Sequence, residues 1–354
     1  MIGLVVSVVV EPFWRGARPV RVIWLVLVAE VVLTLVWAST LSFFGLAHLV
    51  YLLATVVPAC VAITALSSGP GRRWLRTRVG AVVGVALLIP PLAGLYATHV
   101  EPFWLRVDRV EVPVEAGAGI RVGVLADLQT TSIGGHEREA VAALIDQDPD
   151  LVVVPGDLWQ TDDEDIAADW PMWADLLSEL VDAVGPVVIV EGNTDHIGWI
   201  ELIAERSGAV ALYDRVEVFD IDGTSVAIGG TRDVDDTPAG ATLRAMEELV
   251  GADRGGAITI ALTHRPDILD WLPGRVDLVV TGHTHGGQIQ VPFVGPLMTA
   301  TSAPRHVAAG GLHAVDGQLI YVSTGVGLER RDAPQVRFGV RPSVGILDLV
   351  APRG

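Results

Sequence analysis

The chain has 354 residues, of which 51% are hydrophobic, and a formal net charge of -18. All 24 basic residues are arginines, against 42 acidic residues, and no basic stripe is dense enough to follow a polynucleotide, so we expect no nucleic-acid partner. The single cysteine, Cys60, excludes an intrachain disulfide.

The amino-terminal third is almost uninterrupted apolar sequence, whereas acidic residues become dense after Asp108. Three stretches are long enough to cross a bilayer, which takes about 20 residues of helix. We therefore predict a membrane anchor at residues 1–106, with three spans, and a globular domain at 107–354. The spans fall near residues 22–40, 46–66 and 79–98. A buried helical bundle in a soluble protein is the alternative, and a transporter is a weaker one because the spans hold few polar groups.

Arginine placement predicts the orientation of these spans, because cytoplasmic loops collect basic residues. Three arginines precede the first span, four lie between the second and third, and none lies between the first and second. They are Arg15, Arg18 and Arg21, then Arg72, Arg73, Arg76 and Arg78. The amino terminus is thus expected inside a multi-pass cell-membrane protein, with the globular domain outside the cytoplasm.

The globular part reads as alternating strands and helices, which predicts an α/β fold. Asp222-Gly223 is a strong hairpin signal between two of the strands. The predicted helices are 138–145 and 173–184. The predicted strands are 110–114, 120–126, 151–154, 186–190, 216–221, 225–228, 257–262, 276–280 and 319–322.

Metal-ligand residue types follow five of these strands. They are Asp127, Asp157, Asn193, His264 and His283. Because ligands of open α/β sheets bind beyond the carboxyl ends of strands, these side chains are expected to converge. Carboxylate, amide and imidazole donors together suit manganese, iron or zinc rather than calcium. We predict two divalent metal ions that act on a phosphoryl group.

The sequence blocks at these strand ends resemble those of the calcineurin-like metallophosphoesterases, in particular a membrane-anchored bacterial branch. The blocks are Asp127-Leu128-Gln129, Gly156-Asp157, Gly192-Asn193-Thr194-Asp195, Thr263-His264 and Gly282-His283-Thr284-His285-Gly286-Gly287-Gln288. The resemblance implies a four-layer α-β-β-α sandwich with Asp157 between the two metals. It also implies that Asp127, Gln129 and His285 hold the first metal and that Asn193, His264 and His283 hold the second.

Two positions depart from the family pattern. Gln129 stands in place of a histidine, and its neutral amide oxygen is a weaker donor to a transition metal, so the first metal is expected to bind less tightly. Thr194 stands in place of the histidine that, by resemblance, helps to protonate the leaving oxygen, and a hydroxyl is a poor acid near neutral pH. His196 is the candidate replacement, with Asp195 beside it to orient the ring; the alternative is an ordinary surface histidine.

These features predict a membrane-anchored, dinuclear phosphoesterase that hydrolyses a phosphoester or phosphoanhydride of a small molecule or lipid. Trp159 and Trp199, close to the ligand blocks, are candidate contacts to an apolar part of the substrate. The candidate contacts to its phosphate are Arg330, Arg331 and Arg337, and the alternative for these arginines is surface ion pairing. The alternative function is a metal-binding sensor with weak or lost catalysis, because Gln129 and Thr194 weaken the expected machinery.

Overall fold

The structure is a computed structural model that divides into two compact units. One unit takes in Met1–Val100 and Arg330–Val336, and the other Glu101–Glu329 and Arg337–Gly354. The predicted first span, residues 22–40, lies almost wholly outside the described residues. These are residues 43–115, 119–161, 163–232, 240–253, 256–330 and 333–352, with five isolated positions before residue 43.

Three helices are described in the first unit: α1 (Phe43–Ser67), α2 (Gly69–Leu75) and α3 (Arg78–His99). The short polar break between α1 and α3 supplies the caps. The Ser68 hydroxyl accepts the N–H of the third residue beyond it, at the start of α2, and Thr77 does the same for α3.

Two of these helices are long and apolar enough to cross a membrane: Phe44–Ser67 and Arg78–Phe103. They stand where the second and third spans are predicted, at residues 46–66 and 79–98. Most of their large apolar side chains are exposed. Length and composition therefore fit the prediction, while the crossing itself stays a prediction.

Six strands of the second unit form the first sheet. They are β1 (Arg106–Pro113), β2 (Ile120–Val124), β3 (Leu151–Val154), β4 (Val187–Ile189), β5 (Val210–Ala211) and β14 (Ser343–Val350). The order is β1-β14-β2-β3-β4-β5, and only the β14–β2 pair is antiparallel. Every residue of β3 is buried, as expected for a central parallel strand.

Six further strands form the second sheet, in the order β12-β13-β9-β8-β7-β6. They are β6 (Arg215–Ile221), β7 (Thr224–Gly230), β8 (Ile258–Leu262), β9 (Leu278–Thr281), β12 (Gly311–Val315) and β13 (Gln318–Val322). The predicted hairpin is confirmed between β6 and β7, where Asp222 and Gly223 both have positive φ, as a type I′ turn requires.

Five helices accompany these sheets, together with a small hairpin of strands β10 and β11. The helices are α4 (Gly135–Ile145), α5 (Asp163–Val184), α6 (Ile197–Ser207), α7 (Gly240–Asp253) and α8 (Arg305–Ala308). The hairpin strands are β10 (Gln290–Val291) and β11 (Gly295–Pro296).

Three hydrophobic cores show the layer order. Leu144 of α4 and Trp173 of α5 pack against one face of the first sheet. Strand residues of both sheets share the central core. Met246 and Leu249 of α7 pack against the far face of the second sheet. The predicted α/β class is confirmed: a layer of helices, two facing sheets and a second layer of helices follow one another in space. The sequence does not predict strands β5, β10, β11, β12 and β14 or helices α6, α7 and α8, and α5 begins ten residues before its predicted start.

Candidate metal centre

The five predicted strand-end residues lie in turns at one end of the two sheets. Because β2, β3 and β4 are parallel neighbours, and β8 and β9 likewise, the carboxyl ends of these strands open at common edges. The residue–strand pairs are Asp127 after β2, Asp157 after β3, Asn193 after β4, His264 after β8 and His283 after β9.

Four of these side chains meet at one atom, Nε2 of His264. Asn193 Oδ1 lies 3.0 Å from it, His283 Nδ1 lies 3.2 Å from it, and Asp157 Oδ2 lies 3.4 Å from it. His264 and Asp157 are buried, whereas Asn193 is exposed, so the cluster reaches the surface on one side. We refer to Asp157, Asn193, His264 and His283 as the acceptor tetrad.

Backbone carbonyls fix which ring nitrogens carry the protons. His264 Nδ1 lies 2.8 Å from the carbonyl oxygen of Pro155, and His283 Nε2 lies 3.0 Å from that of Ala300. A carbonyl oxygen only accepts, so each of these nitrogens donates and the other nitrogen of each neutral ring bears a lone pair. When both rings are neutral, the atoms that face each other in the acceptor tetrad are all acceptors, and a cation between them, either a metal ion or a proton on His264, stabilises the arrangement.

Asp127 extends this cluster on its other side. Its Oδ1 accepts the backbone N–H of His283 at 3.0 Å and lies 3.9 Å from His264 Nδ1. Asp127, Asp157 and His264 place ligand atoms within 4.8 Å of one another. Within the described part of the chain, Asp127 Oδ2 and His285 Nε2 are buried without a hydrogen-bond partner. Such orphaned atoms cost about 1–3 kcal/mol each, so a carboxylate and an imidazole left bare fit a bound metal ion.

The backbone at the predicted ligands is strained. Five of them have a φ angle in the left-handed region, which costs non-glycine residues about 1–3 kcal/mol each and tends to concentrate at functional sites. These residues and their φ values are Asp127 (47°), Gln129 (36°), Asp157 (55°), His283 (70°) and His285 (48°). The fold thus holds these side chains in positions that local preference alone would not select.

Two glycines of the sequence blocks are needed for close approach. A Cβ on Gly192 would lie 2.2 Å from Asp157 Oδ1, and a Cβ on Gly282 would lie 2.7 Å from Asp127 Oδ2. Neither distance is tolerated, so any side chain at these positions would displace a predicted ligand.

Burial sets the charge states of the site. It raises the pKa of Asp127 to about 7, with the neighbouring Asp157 adding to the effect. Burial would also raise the pKa of Asp157, but a protonated His264, the Thr194 N–H and His283 together outweigh burial and lower that pKa to about 2. Burial lowers the pKa of His283 to about 4 and that of His285 well below its usual range. Both imidazoles are thus neutral near pH 7, the form that ligates metals.

Gln129 is oriented by an acidic residue that the sequence did not single out. Its Nε2 donates to Glu329 Oε2 at 3.2 Å, and the amide of Gln160 donates to the other carboxylate oxygen at 2.7 Å. Because a carboxylate only accepts, the amide nitrogen of Gln129 must face Glu329 and its carbonyl oxygen must face away. No local sequence signal indicates this contact, since Glu329 is 200 positions from Gln129.

Arg337 lies inside the protein rather than at a substrate-facing surface. Its guanidinium donates to the backbone carbonyls of Thr324, Gly325 and Gly327, and Nη2 lies 3.3 Å from His285 Nδ1. The side chain is fully buried. The expectation that Arg337 contacts a substrate phosphate is therefore wrong: burial and its carbonyl partners make it a support for the His285 loop.

Asp267 supports the loop that holds His283. Its carboxylate accepts the Thr301 hydroxyl at 2.7 Å and the Ser302 backbone N–H at 2.8 Å. The residue before them is Ala300, whose carbonyl accepts from His283 and whose φ of 48° is unfavourable for alanine. Asp267 thus fixes the segment that fixes the ring, a role that its position three residues after His264 does not reveal.

Asp195 and Thr194 tie the loops of the site together. The Asp195 carboxylate is buried and accepts the backbone N–H groups of Asp157, Leu158 and Gly192 at 2.7, 2.9 and 3.0 Å. The Thr194 N–H donates to Asp157 Oδ1 at 2.9 Å. These contacts are those of a structural clamp; the predicted role of Asp195 in orienting His196 stays a prediction.

His196 lies exposed at the N-cap of α6, on the same loop as Asn193. That position leaves it open to solvent, and its proposed acid role stays a prediction.

Trp159 is fully buried and packs edge-on against Trp173 at 6.3 Å between ring centroids. The expectation that Trp159 contacts substrate is wrong, because its ring fills the core. Trp199 is half-buried.

Comparison with known proteins places the site within a recognised domain. Residues 120–287 match the family model of the calcineurin-like phosphoesterases. This range takes in the predicted ligands from Asp127 to His285.

Three relatives extend the similarity to most of the chain. Phosphodiesterase YaeI of Escherichia coli is 29% identical over 72% of this chain and 92% of its own. An uncharacterized metallophosphoesterase of Bacillus subtilis, YkuE, is 26% identical over 78% of this chain and 96% of its own. A transmembrane protein with a metallophosphoesterase domain from Danio rerio is 26% identical over 69% of this chain and 57% of its own.

Proposed function

We propose that the chain, whose residues 120–287 match the calcineurin-like phosphoesterase family model, is a metal-dependent phosphoester hydrolase that works from a membrane with two divalent metal ions. The acceptor tetrad supports the metal part of the proposal most directly, because it brings a carboxylate, an amide oxygen and a second imidazole, all metal-ligand types, to within hydrogen-bonding distance of the His264 imidazole. Manganese, iron and zinc are the ions that this mixture of oxygen and nitrogen donors suits.

The ligand sets follow the two sides of the cluster. The second metal is assigned to Asn193, His264 and His283. Asp157 is assigned to both metals, because it contacts His264 and also lies within reach of Asp127. The first metal is assigned to Asp127, Gln129 and His285. When bound, divalent metals supply Lewis acidity that offsets the negative charge of a phosphoryl group under attack.

The surroundings of Thr194 favour a substrate with a good leaving group. Its hydroxyl donates to the carbonyl of Trp159 at 2.6 Å, so its proton is already committed, and a hydroxyl is in any case a poor acid near pH 7. We assign proton donation to the exposed His196 where the leaving group needs it. A phosphodiester or a phosphoanhydride fits this chemistry, and the Escherichia coli relative is named a phosphodiesterase.

The membrane location is supported by the two apolar helices and by the transmembrane relative. Hydrocarbon-length helices with exposed apolar side chains are stabilised by lipid rather than water. We further propose that the globular unit lies outside the cytoplasm, as the arginine pattern of the sequence predicts. A substrate in the cell envelope, either a soluble phosphoester or a phosphorylated lipid, fits this location.

The activity is tested with the purified full chain in detergent, supplied with manganese and given nitrophenyl phosphate mono- and diesters. We expect release of nitrophenol from the diester and a loss of about a hundredfold or more in His283→Ala and Asp157→Asn, which remove ligands rather than their supports. His196→Ala should spare the nitrophenyl diester and slow an alkyl diester, whose leaving oxygen needs a proton.

Leu202→Ala is the control, because Leu202 is exposed on α6 away from the tetrad contacts. Metal binding without turnover, in wild type and variants alike, would instead favour the metal-binding sensor.

A further inference from the structure

The segment that follows the last predicted ligand is free of charge. From Ile289 to Ala300 it contains no Asp, Glu, Lys or Arg. Strands β10 and β11 pair in its middle as an antiparallel hairpin with the turn at Pro292–Val294. We call residues 290–298 the apolar hairpin.

The tip of the apolar hairpin presents large apolar side chains to the outside. Phe293 has a relative exposure of 108%, Val294 of 58%, Leu297 of 55% and Met298 of 42%. Single exposed apolar residues are ordinary, but these four lie within six positions of one hairpin, and concentrated apolar surface of this kind marks interaction sites.

The base of the hairpin is firmly held, so this exposure is not that of a loose loop. The Gln290 backbone N–H donates to the Phe338 carbonyl at 2.7 Å, and its side-chain amide donates to the Ala309 carbonyl at 2.8 Å. Leu297 donates to Ile289 at 3.2 Å across the hairpin. The chain therefore holds an apolar tip outward on an ordered stem.

The backbone of the tip is costly as well. Phe293 has a φ of 66°, a value that is an outlier for a bulky aromatic residue. Neither local preference nor core packing selects a phenylalanine there. A contact of the exposed ring outside the chain would account for it.

The apolar hairpin is directly joined to the metal centre at both ends. On one side, the Gln290 amide donates to the Gly286 carbonyl at 3.0 Å, next to His285. On the other side, the chain reaches Ala300, whose carbonyl accepts from His283. A surface that receives the hairpin is thereby brought close to the candidate metal ligands.

We propose that the apolar hairpin inserts into the headgroup and acyl boundary of a lipid bilayer and so presents the metal centre to a phosphoester carried by a lipid headgroup. An aromatic ring with aliphatic neighbours and no charge suits this boundary. A bilayer is the surface available to it, because the chain also carries two helices of membrane-spanning length. The inference rests on the proposed membrane location and narrows the proposed substrate to lipid phosphoesters.

The test measures the depth of residue 293 in lipid. The full chain, with Cys60→Ser to remove the single native thiol and Phe293→Cys to place an environment-sensitive fluorophore, is reconstituted in phosphatidylcholine vesicles. Some of the lipid carries a nitroxide quencher in its acyl chain. Val218→Cys is the matched control, since Val218 is 59% exposed on β6. We expect quenching at 293 to exceed that at 218 by about twofold or more, as insertion to acyl depth requires.

Equal quenching at the two positions, with equal access to a water-soluble quencher, would overturn the proposal. So would fluorophore self-contact at 293 that grows with protein density, because a second copy of the chain would then cover the hairpin.

A paired activity measurement separates this proposal from the proposed hydrolase function. Phe293→Ser with Leu297→Ser should leave hydrolysis of a water-soluble nitrophenyl diester unchanged and reduce hydrolysis of a nitrophenyl phosphodiester anchored in the vesicle by an acyl chain. Equal rates of the variant and the unmodified chain on the anchored substrate would contradict the hairpin's role. If the unmodified chain hydrolyses neither the soluble nor the anchored diester, the result would instead contradict the proposed hydrolase function.

Discussion

At His264 a single backbone contact decides which ring nitrogen is available to bind a metal ion. Donation from Nδ1 to the Pro155 carbonyl turns the lone pair of Nε2 toward Asn193, Asp157 and His283. The same device holds His283 through Ala300. Second contacts of this kind set ring orientation and ligand basicity in metal sites. The strand-end pattern therefore predicts which side chains converge, whereas the supporting carbonyls are identified only from the folded chain.

Glu329 provides a residue-scale prediction for the first metal. Glu329→Gln should weaken binding of the first metal by about tenfold. The carboxylate of Glu329 accepts only from the amide nitrogen of Gln129, whereas an amide at position 329 can also donate to the Gln129 oxygen and turn that oxygen away from the metal. Manganese titration followed by electron paramagnetic resonance reads the affinity independently of turnover.

Glu179→Gln is the control for this substitution, since Glu179 pairs with Arg138 at an exposed site. An unchanged affinity in Glu329→Gln, with the second metal also unaffected, would remove Glu329 from the site.

At the scale of elements, the hairpin turn and the buried central strands could be predicted from local sequence, whereas strands placed by distant contacts could not. The β6–β7 hairpin was found from Asp222-Gly223, and buried strands such as β3 from their β-branched runs. Strand β14 escaped because it pairs with β1 and β2 from more than 200 positions away, so its register is decided by tertiary contacts. Glu329 and Arg337 lie in the segment before it and were missed or misplaced for the same reason.

Asp267 provides the prediction for the loop that holds His283. Burial alone would raise the pKa of Asp267, but the N–H of Ser302 and the hydroxyl of Thr301 lower it. A lowered folded-state pKa means that the anchor stabilises the fold fully above the unfolded value of about 4 and is lost as pH falls through the lower folded value.

Asp267→Asn should therefore flatten the acid side of the stability curve and weaken metal binding at the second site by about tenfold, because Ala300 and His283 lose their support. Thermal unfolding from pH 3 to 7 and metal titration at pH 7 check the two halves. Asp220→Asn, an exposed change that also removes an acceptor in a turn, is the control. If Asp267→Asn matches wild type in both measurements, Asp267 does not support the segment that holds His283.

For the whole molecule, charge and hydropathy divide the chain into parts suited to different solvents. The acidic globular unit and the apolar helices follow from composition alone, which is why the division was predictable. Sidedness depends on seven arginines and on the number of spans, so it needs its own measurement.

Thiol labelling in intact cells tests the sidedness. With Cys60→Ser as background, Glu115→Cys places a thiol at an exposed position of the globular unit. We expect a membrane-impermeant reagent to label it without lysis, because an odd number of spans places this unit outside. Labelling only after lysis would contradict the predicted orientation.

Metal stoichiometry of the purified chain tests the central claim, that the acceptor tetrad and its neighbours hold cations. Elemental analysis after exposure to manganese and removal of free ion should give up to two ions per wild-type chain. His264→Ala, which removes the ring on which the tetrad converges, should lose the second ion while the far-ultraviolet circular dichroism of the fold persists. Retention of the same metal content by folded His264→Ala would contradict the assignment of this cluster as the metal centre.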